Sequence, residues 1–283
     1  MQISHPYLDA ILDWARHENA IRALVATGSR ARLDDTVDDF SDLDIQIIAT
    51  DFTRYIEDDS WLDQLGDVWI RFPLHKFVPY RLVWFNGGAK VDFQFLAADE
   101  LNPSYLSDEY KRGYHILLDK DNRFRHLPPS PRVFPQPPLP SVAEFLSTIN
   151  EFWFEAIHVA QFIRRREFWV VKHRDWTMKT DLLRMLEWHA QITTGDPVNT
   201  WLLGRRIALW TDEASYTVVK RLWAGWNATE CWDALLQQVD LFQALSQAVA
   251  ATLRYQHDEE PQRKIQSYIR QLWREDDTNS PTD

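Results

Sequence analysis

Three short stretches carry side chains that could do chemistry together: Gly28-Ser29-Arg30, Ser41-Asp42-Leu43-Asp44, and Asp92. Gly28 lets the backbone turn sharply and come close to a ligand. Ser29 offers a hydroxyl and a backbone N–H where an anion is welcome, and Arg30 can neutralise a phosphate. Asp42 and Asp44 stand at i and i+2, so on a strand both carboxylates project from one face. Held that close they repel, and each raises the other's pKa. A divalent cation removes that penalty. Magnesium prefers hard oxygens, one or two carboxylates together with substrate phosphates and water. Asp92 sits in Lys90-Val91-Asp92-Phe93-Gln94-Phe95, where Val91, Phe93 and Phe95 face one way and Asp92 and Gln94 the other. If that strand pairs beside the Asp42–Asp44 strand, three carboxylates meet at one metal site able to polarise an α-phosphate for in-line attack. Taken singly, such aspartates serve equally as turn and cap residues. Their order after a hydrophobic strand is far more specific.

The elements that must position these groups can be read around them. Ile21–Thr27 reads as a buried strand that runs into Gly28-Ser29, and Leu43–Ala49 as the next. Arg81–Phe85 and Lys90–Leu96 flank Asn86-Gly87-Gly88, residues that accept positive φ, and so read as a hairpin. His115–Leu118 suggests one more strand. Ser4 and Pro6 open a first helix through Ile11, Leu12 and Ala15, and the pattern over Thr53–Leu65 is helical. Residues 128–140 are rich in proline and exclude both helix and central strand, so they read as a stiff connector. Beyond them Ser141 and Glu144 have capping-box spacing. Helices are expected over Thr180–Ile192, Asn199–Trp210, Ser215–Trp223 and Thr229–Tyr255. The expected fold is α+β: an N-terminal mixed β-sheet with flanking helices over residues 1–127, the connector, a C-terminal helical bundle over 141–274, and a frayed polar tail over 275–283.

Composition narrows the partners. The 283 residues include 42 acidic and 31 basic side chains, for a net charge of −11. A general nucleic-acid binder would need a basic stripe. An acidic surface instead concentrates cations, although it also serves ordinary solubility. Cys231, the single cysteine, allows no internal disulfide and no cysteine-based zinc site. With no basic, apolar leader at the N-terminus and no membrane-spanning run, the chain is expected to be cytoplasmic and to have no membrane partner. No P-loop, Gly-x-Gly-x-x-Gly or Gly-x-Ser-x-Gly motif is present, which excludes the enzyme classes built on them.

Gly28-Ser29, Asp42-x-Asp44 and Asp92 resemble the pattern of the nucleotidyltransferase superfamily, and the chain more closely resembles the aminoglycoside 6-adenylyltransferases that modify streptomycin. The closer resemblance extends through Asp181-Leu182-Leu183-Arg184-Met185-Leu186-Glu187-Trp188-His189, Gly204-Arg205-Arg206, Cys231-Trp232, Asp240-Leu241-Phe242 and Arg254-Tyr255. Where the family carries Gly-Lys, this chain has Gly204-Arg205, and its loop before Asp42 is unusually acidic, with Asp34, Asp35, Asp38 and Asp39. The resemblance implies a nucleotidyltransferase-type N-domain that holds Mg2+ and ATP and a helical C-domain that takes the acceptor. Asp42 and Asp44 would be metal ligands, Asp92 a third ligand or the general base, and Gly28, Ser29 and Arg30 nucleotide contacts. Asp181, Glu187 and Trp188 would meet a cationic aminoglycoside. Residues 181, 184 and 188 share a helix face, which suits ammonium or guanidinium groups; without the resemblance it reads as a solvated face. The implied reaction is transfer of AMP from ATP to an aminoglycoside hydroxyl, by a monomer or weak homodimer. Two other readings stay open: transfer to another small alcohol or a protein side chain, and a non-catalytic nucleotide-binding module.

Overall fold

The structure, a computed structural model, describes residues 3–32, 37–75, 79–100, 102, 105–134, 138–195, 198–200, 202–256 and 258–279. Masses of contact divide the chain into two compact units, Met1–Pro135 and Gln136–Asp283, with the division inside the proline-rich stretch.

Among the described residues, the first unit is built on six strands: β1 (Ile21–Thr27), β2 (Leu43–Ala49), β3 (Val68–His75), β4 (Pro79–Phe85), β5 (Ala89–Ala97) and β6 (His115–Asp119). They form one mixed sheet in the order β3-β4-β5-β2-β1-β6, in which β2 and β5 run parallel and the other pairs antiparallel. Helices α1 (Leu8–His17), α2 (Gly28–Arg32), α3 (Thr53–Glu57) and α4 (Asp108–Arg112) accompany it. The alternation seen in the sequence sets the faces. Leu43, Ile45 and Ile47 of β2, with Val91, Phe93 and Phe95 of β5, are buried in a core with Trp14 and Trp61. Asp44, Gln46, Asp92 and Gln94 therefore project from the other face. The hairpin turns at Gly87 and Gly88, whose φ values are 80° and 76°, as the Asn-Gly-Gly signal requires.

In the first unit, elements differ from the sequence reading. The helix expected over Thr53–Leu65 is split into α3 and a 3-10 turn over Asp59–Gln64. Asp58 takes an extended conformation between them, and its side chain accepts from the Ser60 N–H, so a local cap interrupts the helix. Strand β3 was not expected. Pro73 within it argues against a central strand, and the sheet places β3 at the edge, where proline is tolerated.

The second unit is helical: α5 (Val142–Arg164), α6 (Phe168–Thr194), α7 (Ile207–Trp210), α8 (Glu213–Val219), α9 (Ala228–Leu253) and α10 (Glu260–Asn279). Ser141 and Glu144 form the capping box that opens α5. Phe152 and Phe242 stack with ring centroids 3.6 Å apart at the centre of the core. The helix expected over Asn199–Trp210 is reduced to its last turn, because Leu203, Gly204 and Arg206 all have positive φ. Nor is the chain frayed from Glu275: α10 continues to Asn279. Asp276 is buried there and accepts from Trp232 Nε1 at 2.8 Å and Arg166 Nη1 at 2.7 Å. Among the described residues, no helix is long and apolar enough to cross a membrane.

Candidate active site

The parallel pairing of β2 with β5 sets Asp44 opposite Asp92. Asp42 lies two residues before Asp44, and Lys90 two before Asp92. One ligand oxygen from each of Asp42, Asp44 and Asp92 lies within 4.8 Å of the others. Gly28 begins α2 directly beside them, at φ 67°. A Cβ built there would overlap the Asp44 carboxylate, so the glycine supplies both an unusual backbone angle and the space that the carboxylate fills. Ser29 follows, its hydroxyl buried and, among the described residues, without a hydrogen-bond partner.

Arg30 is placed differently from its neighbours. Its guanidinium donates to backbone carbonyls on both sides of the site: Nη2 to Ser41 O at 2.6 Å, Nε to Asp42 O at 3.1 Å, and Nη1 to Ser4 O at 2.6 Å. It thus ties the loop carrying Asp42 to the N-terminal segment. The side chain positions the carboxylate from behind, with most of its donors directed to backbone carbonyls.

The cluster is strained electrostatically. Asp44 is pushed up to about 7, first by burial and then by the carboxylates of Asp42, Asp92 and Glu109. Burial also raises Asp92. A cation relieves such an arrangement, and the protein supplies one: Lys90 Nζ donates to Asp42 Oδ2 at 2.9 Å and to Asp92 Oδ2 at 2.7 Å. Among the described residues, Asp92 Oδ1 remains buried and unpartnered. An all-oxygen donor set with an open lone pair and a side-chain cation already between two of its members fits a divalent ion. Lys90→Met should therefore lower the unfolding midpoint in chelator by several degrees. Magnesium should restore more stability to the variant than to the wild type. A midpoint unmoved by magnesium in both proteins would show that the carboxylates hold no divalent ion.

Comparison with known proteins decides the family. A model of the family described as streptomycin adenylyltransferase matches residues 1–272. The chain belongs to that family. Members are adenylyltransferase enzymes, and the match includes both units. The chain is similar to an aminoglycoside 6-adenylyltransferase of Campylobacter jejuni, 28% identical over 277 residues that cover 92% of each protein. One of the same description from Bacillus subtilis (strain 168) is 26% identical over 271 residues, covering 91% of this chain and 93% of the relative. Among solved structures, the crystal structure of an aminoglycoside 6-adenyltransferase from Bacillus subtilis aligns with a TM-score of 0.48 and 20% identity, over 94% of this chain and 97% of that one.

In this adenylyltransferase the three α6 residues do not form one open face. Trp188 is buried in the helical core, its ring 6.4 Å from that of Phe145. Asp181 is also buried, and among the described residues its Oδ2 has no hydrogen-bond partner. Arg184 is exposed and approaches Asp181 Oδ1 at 3.6 Å. Asp181 is raised to about 7 by burial and then by Glu151, and Glu187 to about 7 by burial. Between about pH 4 and pH 7 native Asp181 keeps a proton that the unfolded chain has lost, so this group makes stability fall as pH rises through that window. Asp181→Asn should have a higher unfolding midpoint than wild type at about pH 8 and a similar one at about pH 4. Parallel curves of midpoint against pH would contradict the assignment.

The sequence reading missed Lys90, Gln46, Tyr80 and Glu109. The first two carried a usable signal, since each lies two residues from a singled-out aspartate and so shares its face. Tyr80 and Glu109 reach the same place from β4 and α4, which only the folded topology reveals.

Proposed function

We propose that the protein transfers AMP from Mg2+-bound ATP to a hydroxyl of an aminoglycoside of the streptomycin type, releasing pyrophosphate. The observation that carries this reading is the convergence of Asp42, Asp44 and Asp92 beside the Gly28-Ser29 turn. The names of the relatives, all aminoglycoside 6-adenylyltransferases, support the acceptor class.

A divalent ion held by Asp42, Asp44 and Asp92 would supply Lewis-acid charge to the α-phosphate. The chain's own groups do the rest. Ser29 Oγ is buried and, among the described residues, unpartnered, so a phosphate oxygen would complete its hydrogen bonding. Arg30 keeps Asp42 in register through the carbonyls of Ser41 and Asp42. Asp92 has its pKa raised by burial and an open Oδ1, which suits it to take the acceptor's hydroxyl proton. The acceptor oxygen then bonds to the α-phosphorus, and the bond to the pyrophosphate oxygen breaks.

Incubating the protein with Mg2+, ATP and streptomycin tests the reading. The expected product is streptomycin heavier by one AMP, with pyrophosphate in equal amount. A panel of other aminoglycosides identifies the acceptor if streptomycin is inert. Nucleotide binding with no adenylylated product across the panel would defeat the proposal.

A further inference from the structure

The polar face of β2 and β5 carries three successive rungs. Asp42 and Lys90 form the first, Asp44 and Asp92 the second, and Gln46 and Gln94 the third. Adjacent rungs are about 7 Å apart along the strands. The Gly28-Ser29 turn joins β1 at the end nearer the first rung, since Thr27 pairs with Asp44. From the second rung to the third extends a cavity of about 280 Å3, with Asp44, Asp92, Gln46, Gln94, Tyr80 and Glu109 in its lining.

The third rung is built with care that the metal site does not require. Gln46 is buried, at 4% exposure. Tyr110 donates its hydroxyl to Gln46 Oε1 at 2.7 Å, which fixes the amide's orientation. Gln46 Nε2 is thereby directed to Gln94 Oε1 and to Glu109 Oε2, each at 2.8 Å. A buried, oriented amide thus holds the Glu109 carboxylate at the cavity, leaving its second oxygen for another partner. The volume is below the roughly 300–1,000 Å3 of pockets that enclose a whole drug-sized ligand, so it suits one end of a larger molecule. In-line transfer needs the attacking oxygen and the leaving group on opposite sides of the phosphorus. With the phosphate-side turn set against Asp44 of the second rung and leading toward the first, the third rung is where the attacking molecule belongs.

Building on the adenylyltransferase reading, we infer that this cavity seats a guanidinium or ammonium group of the acceptor on Glu109, which sets one neighbouring hydroxyl beside Asp92. Glu109 is then a specificity-determining residue, and it prefers acceptors whose cation lies close to the modified hydroxyl.

The experiment compares full-length wild type with Glu109→Gln, which keeps the hydrogen-bonding shape and removes the charge. Streptomycin is titrated calorimetrically in the presence of Mg2+ and a non-hydrolysable ATP analogue. Its affinity should fall about tenfold or more in the variant, with analogue affinity and unfolding midpoint nearly unchanged. Equal streptomycin affinity in the two proteins would overturn the inference. Methylguanidinium, which has no hydroxyl to modify, separates this inference from the transfer reading. Binding to wild type that is lost in Glu109→Gln supports the cavity even if no aminoglycoside is adenylylated. Equal binding to both, or none to wild type, overturns it even if streptomycin is turned over.

Discussion

Asp44→Asn should reduce AMP transfer by about a thousandfold or more while leaving the protein folded. Asp44 stands at the centre of the carboxylate cluster, flanked by Asp42 just before its own strand and by Asp92 across the parallel pairing. The amide has almost the same shape, so the buried space beside Gly28 stays filled and no cavity opens. What is lost is a negative charge, and with it one of the hard oxygen ligands a divalent ion needs. Because that charge is buried among like charges, its removal should not lower the unfolding midpoint in chelator. Pyrophosphate release and the mass of the acceptor give the activity, and thermal unfolding gives the control. A variant that releases pyrophosphate at the wild-type rate would remove Asp44 from the chemistry. A variant that is inactive only because it is unfolded would leave the midpoint far below wild type and show a structural role instead.

Gly28→Ala should be nearly as damaging, by another route. The added methyl must occupy the place of the Asp44 carboxylate, and the residue must also hold a φ of 67° that alanine resists. The backbone angle alone costs about 1–2 kcal/mol. The overlap is with a side chain anchored on a central strand, so relief requires Asp44 to rotate away from Asp42 and Asp92 or the turn to back away from the sheet. A displacement of about 1 Å in a reacting group can cost on the order of a hundredfold in rate. The expected outcome is a fall of at least that size in kcat/KM, with a lower unfolding midpoint and weaker nucleotide binding. Near-normal kinetics would mean that the turn is not needed in this conformation.

The sequence announced the central strands because their hydrophobic residues alternate strictly: Leu43, Ile45 and Ile47, and Val91, Phe93 and Phe95, sit in one core and force the intervening aspartates and glutamines to the other face. That inference is local. The parallel pairing that brings Asp92 to Asp44 is not, since β5 arrives beside β2 only after the β3–β4–β5 meander. Edge strand β3 was obscured by Pro73, and helix α7 was overestimated because nothing in the identities of Leu203 and Arg206 reveals their positive φ. Arg30 shows the same limit within the site. Its charge suggested a phosphate contact, whereas its surroundings in the fold are backbone carbonyls. On α6, helical spacing grouped residues 181, 184 and 188 correctly in angle, but packing buries Asp181 and Trp188.

The fastening of Asp276 bears on how this protein can be trimmed. The family pattern stops at residue 272, which invites truncation there for expression or crystallisation. That cut would remove the acceptor of the Trp232 indole and strip Arg166 of its counter-ion. An enclosed N–H with nothing to bind weakens a core from within. A shortened version would therefore loosen at the contact between α9 and α10, and tags are better added after Asn279 than substituted for the last turn of α10.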